Sequence, residues 1–432
     1  MYWEAVSECM SRDELEQLQL ERLQATILRV YMNVPFYRKK FEELAIDPDS
    51  FRSLNDLSKL PFTTKDDLRD NYPYGFFAVP LREVVRLQAS SGTTGKPTVV
   101  GYTRNDIKIW SNLTARILTS GGISQSDIVQ IAFDYGLFTG AFGLHYGAER
   151  IGASVIPISS GNARRQVKIM QDFKTTALVC TPGFALMMAD TIQELGINVN
   201  SLSLKYGLCG AEQWSESMRN EIQEKLKIIC TDNYGLSEVM GPGVAGECIE
   251  RKGLHINEDH FLVEIIDPET LQPIPVGSVG ELVITTLTRE ANPIIRFRTR
   301  DLTSLISEPC PCGRTFRRMT RVIGRTDDMI KVKGINIFPS QIEAVLFEIE
   351  GTEPHYQLIV DRKGSEDELK VLVEVSESMF FDQMKKQREL VELIRKRLFN
   401  EIGISLDVKL VEKKTLQQSE GKVKKVIDYR KK

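Results

Sequence analysis

The strongest constraint on the fold is a regular alternation of apolar runs and amphipathic stretches between Ile128 and Asp232. The apolar runs predict strands, and the stretches with helical spacing predict helices. Repeated strand–helix–strand units of this length indicate a parallel sheet covered by helices, with a ligand site at the carboxyl edge of its strands. Strands are predicted at Ile128–Phe133, Ser154–Ile158, Ala177–Cys180, Lys205–Leu208 and Lys227–Cys230, and helices at Arg164–Phe173, Phe184–Leu195 and Glu216–Lys225.

The length of 432 residues predicts more than one domain. The pattern becomes β-rich between Phe261 and Leu305, and after Arg325 it changes to a mixed pattern of strands and helices. We therefore predict an α/β protein whose large N-terminal region, residues 1–326, has parallel sheets covered by helices and includes a β subdomain at about 240–322. A small α+β domain is predicted at 327–432.

Composition argues against several classes of function. The formal net charge of -3 lacks the basic surplus typical of nucleic-acid-binding proteins. No apolar run reaches the roughly 18 residues that a membrane span needs, and Met1–Met10 lacks the basic start and apolar core of a signal peptide. We therefore expect a cytoplasmic protein with no nucleic-acid or membrane partner. In that compartment the seven cysteines favour reduced thiols or metal ligands over disulfides.

One loop carries residue types that bind phosphate. The loop Ser90-Ser91-Gly92-Thr93-Thr94-Gly95-Lys96-Pro97 lies between predicted strands at Val84–Leu87 and Val99–Tyr102, and it holds four hydroxyls, two glycines and a lysine. Backbone N–H groups, hydroxyls and an ammonium in one loop can surround a polyphosphate. The loop differs from a Walker loop, which needs glycine at position 90 and serine or threonine at position 97. A plain hairpin is the alternative interpretation.

Six more motifs accompany this loop along the chain. They are Leu60-Pro61-Phe62-Thr63-Thr64-Lys65-Asp66-Asp67-Leu68-Arg69, Tyr135-Gly136-Leu137-Phe138-Thr139-Gly140, Gly210-Ala211-Glu212, Tyr234-Gly235-Leu236-Ser237-Glu238, Arg300-Asp301-Leu302-Thr303 and Gly324-Arg325-Thr326-Asp327-Asp328. In this order the seven motifs resemble those of the phenylacetate–coenzyme A ligase family of acyl-adenylate-forming enzymes. The resemblance covers nearly the whole chain.

The resemblance implies an ATP-dependent, AMP-forming ligase that activates an aromatic, phenylacetate-like acid as acyl-adenylate and transfers it to coenzyme A, as in phenylacetate catabolism. The implied cofactors are ATP, Mg²⁺ and coenzyme A, and the implied partners are these and a small carboxylic acid. Another acceptor, such as a carrier protein or a cofactor that receives AMP, stays open, as does a non-catalytic nucleotide-binding regulator. The sequence does not determine the oligomeric state, so a homodimer stays open as well.

The resemblance also implies a nucleotide site. Asp232 would accept a hydrogen bond from the adenine amino group, Tyr234 would stack on the base, and Asp301 would accept from both ribose hydroxyls. A surface salt bridge of Asp301 with Arg298 or Arg300 is the alternative. The full set of implied ATP and AMP contacts is Ser90, Ser91, Gly92, Thr93, Thr94, Gly95, Lys96, Gly210, Ala211, Glu212, Asp232, Tyr234, Gly235, Ser237, Asp301 and Arg325.

Three residues are the catalytic candidates that the resemblance supplies. Glu238 would be the magnesium ligand, since a hard carboxylate oxygen suits that ion, although an acid at this place can also be a charge near a helix N-terminus. Lys422 and Lys65 each match a position whose ammonium would contact the phosphates, and the sequence does not rank them; Lys65 also fits a plain helix start. Asp327 falls at the position about which the C-terminal domain rotates in this family.

Aromatic residues flank two glycines after the first predicted strand of the sheet. In the family an aromatic acyl pocket lies here, so the resemblance implies that Tyr135 and Phe138 pack against an aryl ring and that Gly210 and Ala211 leave room for it. Burial in an ordinary core is the alternative interpretation.

Three cysteines and a histidine suggest a zinc site. Cys310-Pro311-Cys312 is a tight turn with two thiols, and Cys248 and His255 lie in an earlier segment. Three sulfurs and one imidazole form a usual ligand set for structural zinc. Unliganded thiols are the alternative, and His145, His260 and His355 show no pattern of partners in the sequence.

Overall fold

The computed structural model describes residues 1–432 except 91–96, 329, 333–334, 350–351, 364–365, 376–383, 413–414, 417, 420–421, 424 and 432. The chain divides into two compact units: Met1–Glu212 with Arg219–Arg321, and Gln213–Met218 with Val322–Lys432. This division follows Arg321, and the role of Asp327 as a hinge stays a prediction. Within the described part of the chain, no helix is both long and apolar enough to cross a membrane.

The α-helices of the described residues are numbered in chain order. They are α1 (Ala5–Glu8), α2 (Arg12–Asn33), α3 (Pro35–Glu43), α4 (Lys65–Asp70), α5 (Arg104–Ser120), α6 (Gly140–Arg150), α7 (Ala163–Asp172), α8 (Pro182–Glu194), α9 (Glu216–Leu226), α10 (Pro339–Phe347) and α11 (Met384–Ile402). Several begin at side-chain caps. Thr103 and Asp106 form a capping box at the start of α5, and Thr181 caps α8 just before a proline.

The strands are numbered in the same way. They are β1 (Arg86–Ala89), β2 (Val99–Tyr102), β3 (Ile128–Ile131), β4 (Ser154–Ile156), β5 (Ala177–Cys180), β6 (Tyr206–Gly210), β7 (Ile229–Leu236), β8 (Gly241–Glu247), β9 (Leu254–Ile256), β10 (Phe261–Ile266), β11 (Gly280–Thr286), β12 (Phe297–Thr303), β13 (Leu305–Ile306), β14 (Arg318–Met319), β15 (Gly324–Arg325), β16 (Ile330–Val332), β17 (Ile335–Ile337), β18 (Thr352–Lys363), β19 (Glu366–Val375), β20 (Asp407–Glu412), β21 (Gln418–Ser419), β22 (Lys422–Val423) and β23 (Val426–Asp428).

The predicted parallel sheet is confirmed as part of a nine-stranded sheet with the order β13-β14-β9-β8-β7-β6-β5-β3-β4. The neighbours from β4 to β7 are parallel, whereas β8, β9, β14 and β13 continue the sheet as antiparallel strands. Helices α5 and α6 pack on it through buried apolar side chains, among them Leu118 and Leu144 against Val129 and Val179. The carboxyl ends of five parallel strands therefore meet at one edge.

The separate β-rich part is smaller than the predicted subdomain of about 240–322. Strands β10, β11 and β12 pair as an antiparallel sheet between Phe261 and Thr303. Strands β8, β9, β13 and β14 fall within the predicted range but belong to the main sheet. The sequence pattern could not separate these two groups of strands, because both consist of short antiparallel strands joined by tight turns.

The C-terminal unit is an α+β domain with its own core. Its main sheet has the order β20-β19-β18-β23, in which β18 and β19 are antiparallel and the two outer pairs are parallel. Helices α10 and α11 contribute buried residues such as Ile342, Leu346, Ile394 and Leu398 to one apolar cluster with this sheet. This unit buries enough apolar surface to form a core of its own.

Candidate active site

An open cavity lies at the carboxyl edge of the parallel strands. Its empty volume is about 370 Å³, including the open space at its mouth. Apolar residues form much of its wall: Phe133, Phe138, Leu144, Ala211, Leu236 and Pro242. Thr139 and Ser237 add a polar side, where their hydroxyl oxygens lie 2.9 Å apart. The cavity is thus suited to a small ligand with an apolar body and a polar end.

The residues predicted for the acyl pocket divide into two pairs. Phe138 and Ala211 line the cavity, whereas Tyr135 and Gly210 are not among its lining residues. Gly210 instead allows β6 to approach β7, since a Cβ atom there would lie 2.4 Å from Nδ2 of Asn233. Glu212, predicted for the same motif, is exposed.

Tyr135 belongs to a hydrogen-bonded network that the sequence interpretation missed. Its Oη lies 3.0 Å from Nδ1 of His145, and Nε2 of His145 lies 3.1 Å from a carboxylate oxygen of Glu149. Its ring packs edge-on against Phe142. Burial raises the pKa of Tyr135 above its ordinary value. The spacing of four residues between His145 and Glu149 on one helix was a signal that could have identified half of this network.

The Tyr234–Glu238 motif covers the end of β7 and the start of its tight connection to β8. Gly235 is required there, because a Cβ atom would lie 2.0 Å from the carbonyl oxygen of Gly241. The turn places Glu238 in a buried position, with its Oε1 atom 3.1 Å from Nζ of Lys65. No described donor makes a hydrogen bond to this oxygen, so the ammonium attracts it by charge alone. A buried carboxylate oxygen in this condition is a suitable ligand for a hard cation.

Lys65 is the first residue of α4, so the predicted helix start is confirmed. Thr64 and Asp67 form the capping box of this helix. The preceding Thr63 is bound on both sides by backbone hydrogen bonds to Arg296 and Arg298. A short helix held in this way can bring a half-exposed lysine to Glu238, although 173 positions separate the two residues in the sequence.

Two of the predicted nucleotide residues contact each other. Tyr234 Oη donates a hydrogen bond of 2.6 Å to Oδ2 of Asp301, whose side chain is buried. The guanidinium groups of Arg298 and Arg300, the alternative partners considered for Asp301, lie near Glu281 at 2.6 Å and 3.7 Å. Tyr234 and Asp301 therefore place a phenol and a carboxylate together, and their binding of a nucleoside stays a prediction.

Asp232 lies on β7 beside two buried charged groups. Its backbone N–H donates to Oε2 of Glu247 at 2.9 Å, and that same oxygen accepts from Arg219 at 2.6 Å. Nε of Arg321 lies 3.5 Å from the carboxylate of Asp232. The sequence interpretation named none of these three partners, because no local motif marks a contact between residues so far apart in the chain.

The structure describes two of the predicted phosphate-binding elements only in part. Ser91–Lys96 of the phosphate loop are outside the described residues, but the two ends of the loop meet, since Ser90 and Thr98 exchange hydrogen bonds of 3.0 Å. Strands β1 and β2 on either side pair as an antiparallel hairpin. Lys422 is described only as part of β22, without its side chain.

The predicted residues at the start of the C-terminal unit contact each other. The guanidinium of Arg325 makes two hydrogen bonds of 2.9 Å to the carboxylate of Asp327. Burial raises the pKa of the adjacent Asp328 above its ordinary value, and the negative charge of Asp327 acts in the same direction. Arg325 is thus held in place by its own segment.

The four predicted zinc ligands lie together. Their ligand atoms, from Cys248, His255, Cys310 and Cys312, are all within 4.8 Å of one another. Sγ of Cys248 is 3.7 Å from Sγ of Cys310, and Sγ of Cys312 is 3.4 Å from Nε2 of His255. Tetrahedral zinc with Zn–S bonds of about 2.3 Å requires sulfurs about 3.8 Å apart. The hydrogen bond from Cys248 and then that from His255 lower the pKa of Cys312, whereas the hydrogen bond with Cys312 raises the pKa of Cys248 and burial raises the pKa of Cys310. The cluster therefore favours one thiolate, at Cys312, which is the form that binds metal.

Comparison with known families agrees with this arrangement. Residues 43–287 match the family model described as AMP-binding enzyme, and residues 334–430 match the AMP-binding enzyme C-terminal domain. A phenylacetate–coenzyme A ligase of Escherichia coli is 49% identical over 425 residues, which cover 98% of this chain and 97% of that protein. The chain belongs to the phenylacetate–coenzyme A ligase family. It is therefore an AMP-forming acid–coenzyme A ligase.

Other members and neighbours of this family extend the match to both units. The phenylacetate–coenzyme A ligase of Thermus thermophilus is 46% identical over 445 residues, with all of both chains covered. The crystal structure of a 2-hydroxyisobutyryl-CoA ligase in the postadenylation state, in complex with R3-HIB-AMP, has a TM-score of 0.92 and 29% identity, and the match covers 100% of this chain and 93% of that one. These matches confirm the predicted family and the predicted α/β fold class.

Proposed function

We propose that this ligase activates phenylacetate or a closely related aryl-acetic acid. The observation that carries the proposal is the cavity, whose apolar wall of Phe133, Phe138 and Leu144 adjoins the hydroxyls of Thr139 and Ser237. Ser237 directly precedes Glu238, so an acid bound with its ring in the apolar part would direct its carboxylate toward the proposed metal and phosphate site. The family members from Thermus thermophilus and Escherichia coli are named for phenylacetate.

The reaction has two steps. An oxygen of the acid attacks the α-phosphorus of ATP, the bond to the bridging oxygen breaks, and pyrophosphate leaves. The thiolate of coenzyme A then attacks the acyl carbon, and AMP leaves with the electron pair of its bond to that carbon. Both steps move negative charge between oxygen atoms, so the protein acts mainly by positioning the reactants and neutralising charge.

The charged residues at the site suit the first step. We propose that Glu238 holds Mg²⁺ and that Lys65, 3.1 Å from it, places an ammonium near the same phosphates. Magnesium, when bound, would neutralise phosphate charge and stabilise the transition state. Lys422 is the second proposed ammonium, and the phosphate loop Ser90–Lys96 would hold the phosphate oxygens. Asp301 and Tyr234 would bind the ribose and the base, with Asp232 at the adenine amino group.

The acyl pocket can be tested by changing one partly exposed wall residue. Phe138→Ala is expected to raise the KM for phenylacetate by about tenfold, because ring contacts of this kind contribute about 1.5 kcal/mol. The KM for ATP should change by less than about twofold, since the nucleotide site is not altered. Leu137→Ala is the matched control, because Leu137 is 68% exposed and is not among the lining residues. Equal changes in the KM for phenylacetate in both variants would contradict the placement of the acid in this cavity.

We also propose that the Cys248, His255, Cys310 and Cys312 cluster holds one structural zinc. The support is the ligand set, the sulfur–sulfur distance of 3.7 Å and the burial of three of the four residues. His255 Nδ1 lies 3.4 Å from the carbonyl oxygen of Phe316, a contact that would orient the ring. A cytoplasmic location and a homodimeric assembly stay predictions.

A further inference from the structure

Four charged side chains form a compact group around β7 and β8. Glu247 at the end of β8 and Arg219 on α9 are 2% and 1% exposed, and their side chains meet at 2.6 Å. Asp232 and Arg321 are 11% and 17% exposed, and Nε of Arg321 lies 3.5 Å from Oδ2 of Asp232. The same nitrogen lies 3.9 Å from Oε1 of Glu247. Two carboxylates and two guanidinium groups thus share one poorly hydrated place.

The two carboxylates have different tasks in this group. Glu247 has a structural role, because its Oε2 accepts hydrogen bonds both from Arg219 and from the backbone N–H of Asp232. It therefore fixes the backbone from which the Asp232 side chain extends. Asp232 lies at the edge of the group, and its carboxylate is the more exposed of the two. Arg321 is the cation placed between them.

We infer that Arg321 and Glu247 are positioning residues for the nucleotide, acting through Asp232. The inference rests on the proposed function, which places the carboxylate of Asp232 at the adenine amino group. Without Arg321, two neighbouring carboxylates would lose the cation that lies near both of them in a place of low dielectric constant. Repulsion would then favour rotation or protonation of Asp232, the more exposed of the two acids. Either change removes a fixed hydrogen-bond acceptor.

The same geometry makes this group a determinant of base specificity. An ionised carboxylate accepts from the 6-amino group of adenine, whereas guanine presents a carbonyl oxygen at that position and would be repelled. Such discrimination depends on the carboxylate being both charged and fixed in direction. Arg321 supplies the charge balance and Glu247 supplies the fixed backbone.

The test measures acid-dependent pyrophosphate release with ATP and with GTP. Arg321→Met is expected to raise the KM for ATP by about tenfold and to lower the ATP/GTP ratio of kcat/KM by about tenfold, since a hydrogen bond to a charged group is at stake. The KM for the acid should not change, and Arg321→Lys should recover part of the loss because it restores a cation. Arg317→Met is the matched control, because the Arg317 side chain is exposed. An unchanged KM for ATP in a correctly folded Arg321→Met variant would overturn the inference.

A double-mutant cycle separates positioning from general destabilisation. If Arg321 acts through Asp232, Asp232→Asn with Arg321→Met should bind ATP no more weakly than Asp232→Asn alone. Additive effects would overturn the inference, as would a lowered kcat together with equal rises in both KM values. If Arg321→Met does not fold, Arg321→Gln takes its place in the same cycle. A wild-type protein without acid-dependent turnover would instead refute the proposed function, and a normal KM for ATP in Asp232→Asn would refute the adenine placement.

Discussion

Replacing Glu238 with glutamine is expected to reduce acid-dependent pyrophosphate release by about 100- to 1,000-fold at limiting Mg²⁺. Glutamine keeps the size of the side chain but removes the charge that would bind the ion and that pairs with Lys65 at 3.1 Å. The loss should be partly recovered at high Mg²⁺, because a weaker ligand lowers affinity more than it lowers the rate at saturation. Initial rates over a range of Mg²⁺ concentrations measure both effects.

The same variant should fold normally. Oε1 of Glu238 is buried without a hydrogen bond from a described residue, and its partner Lys65 is half-exposed, so the loss of the ion pair is offset by a lower cost of burial and the Tm should change little. Glu224→Gln is the matched control, since Glu224 is an exposed acid on α9. A normal rate and an ordinary Mg²⁺ dependence in Glu238→Gln would contradict the metal assignment.

Loss of the zinc site is expected to have the second large effect. Cys310→Ser should abolish stoichiometric zinc in protein purified without chelator and lower the free energy of unfolding by about 3 kcal/mol or more. For a unit of this size that corresponds to a fall in Tm of roughly 5–10 °C. Metal analysis and thermal unfolding give the two readings. Cys9→Ser is the matched control, because Cys9 is exposed and is not one of the four clustered residues.

The damage should extend from the zinc cluster to the N-terminal segment. The hydroxyl of Tyr2 donates to the carbonyl oxygen of Cys312 at 2.6 Å, and Arg314 binds the carboxylate of Glu8 at 2.6 Å. Thr315 donates to the carbonyl oxygen of Met10 at 2.6 Å. Amide exchange in residues 1–10 should therefore accelerate in Cys310→Ser relative to the unaltered protein. No bound zinc in the unaltered protein, together with an unchanged Tm in the Cys310→Ser variant, would contradict the proposal.

The parallel sheet could be predicted because its strands are apolar runs with helices of ordinary length between them. The prediction for β7 stopped at Cys230, whereas the strand continues to Leu236. Asp, Asn and Gly are depleted in strands, so Asp232, Asn233 and Gly235 are typical of a loop. Pairing with β6 on one side and β8 on the other supplies the backbone hydrogen bonds that make the extension stable. Such pairing is not visible in a local window of sequence.

The candidate site shows the same division between local and distant information. Glu238 and Asp301 could be named because each lies in a recognisable short motif. The contact of Asp232 with Arg321 and the contact of Tyr135 with His145 could not, because they depend on how strands and helices pack. The four cysteine and histidine ligands are an intermediate case. Their residue types indicated zinc, but only the fold shows that β9 and the turn at Cys310–Cys312 come together.

The most direct test of the assigned chemistry is to measure pyrophosphate release and product mass with ATP, Mg²⁺ and phenylacetate, with and without coenzyme A. We expect pyrophosphate and AMP to form only when the acid is present, and phenylacetyl–coenzyme A to accumulate when coenzyme A is added. ATP binding without pyrophosphate release for phenylacetate and other aryl-acetic acids would contradict the proposed substrate. Acid-dependent release with no thioester formed would contradict coenzyme A as the acceptor and would favour a carrier protein.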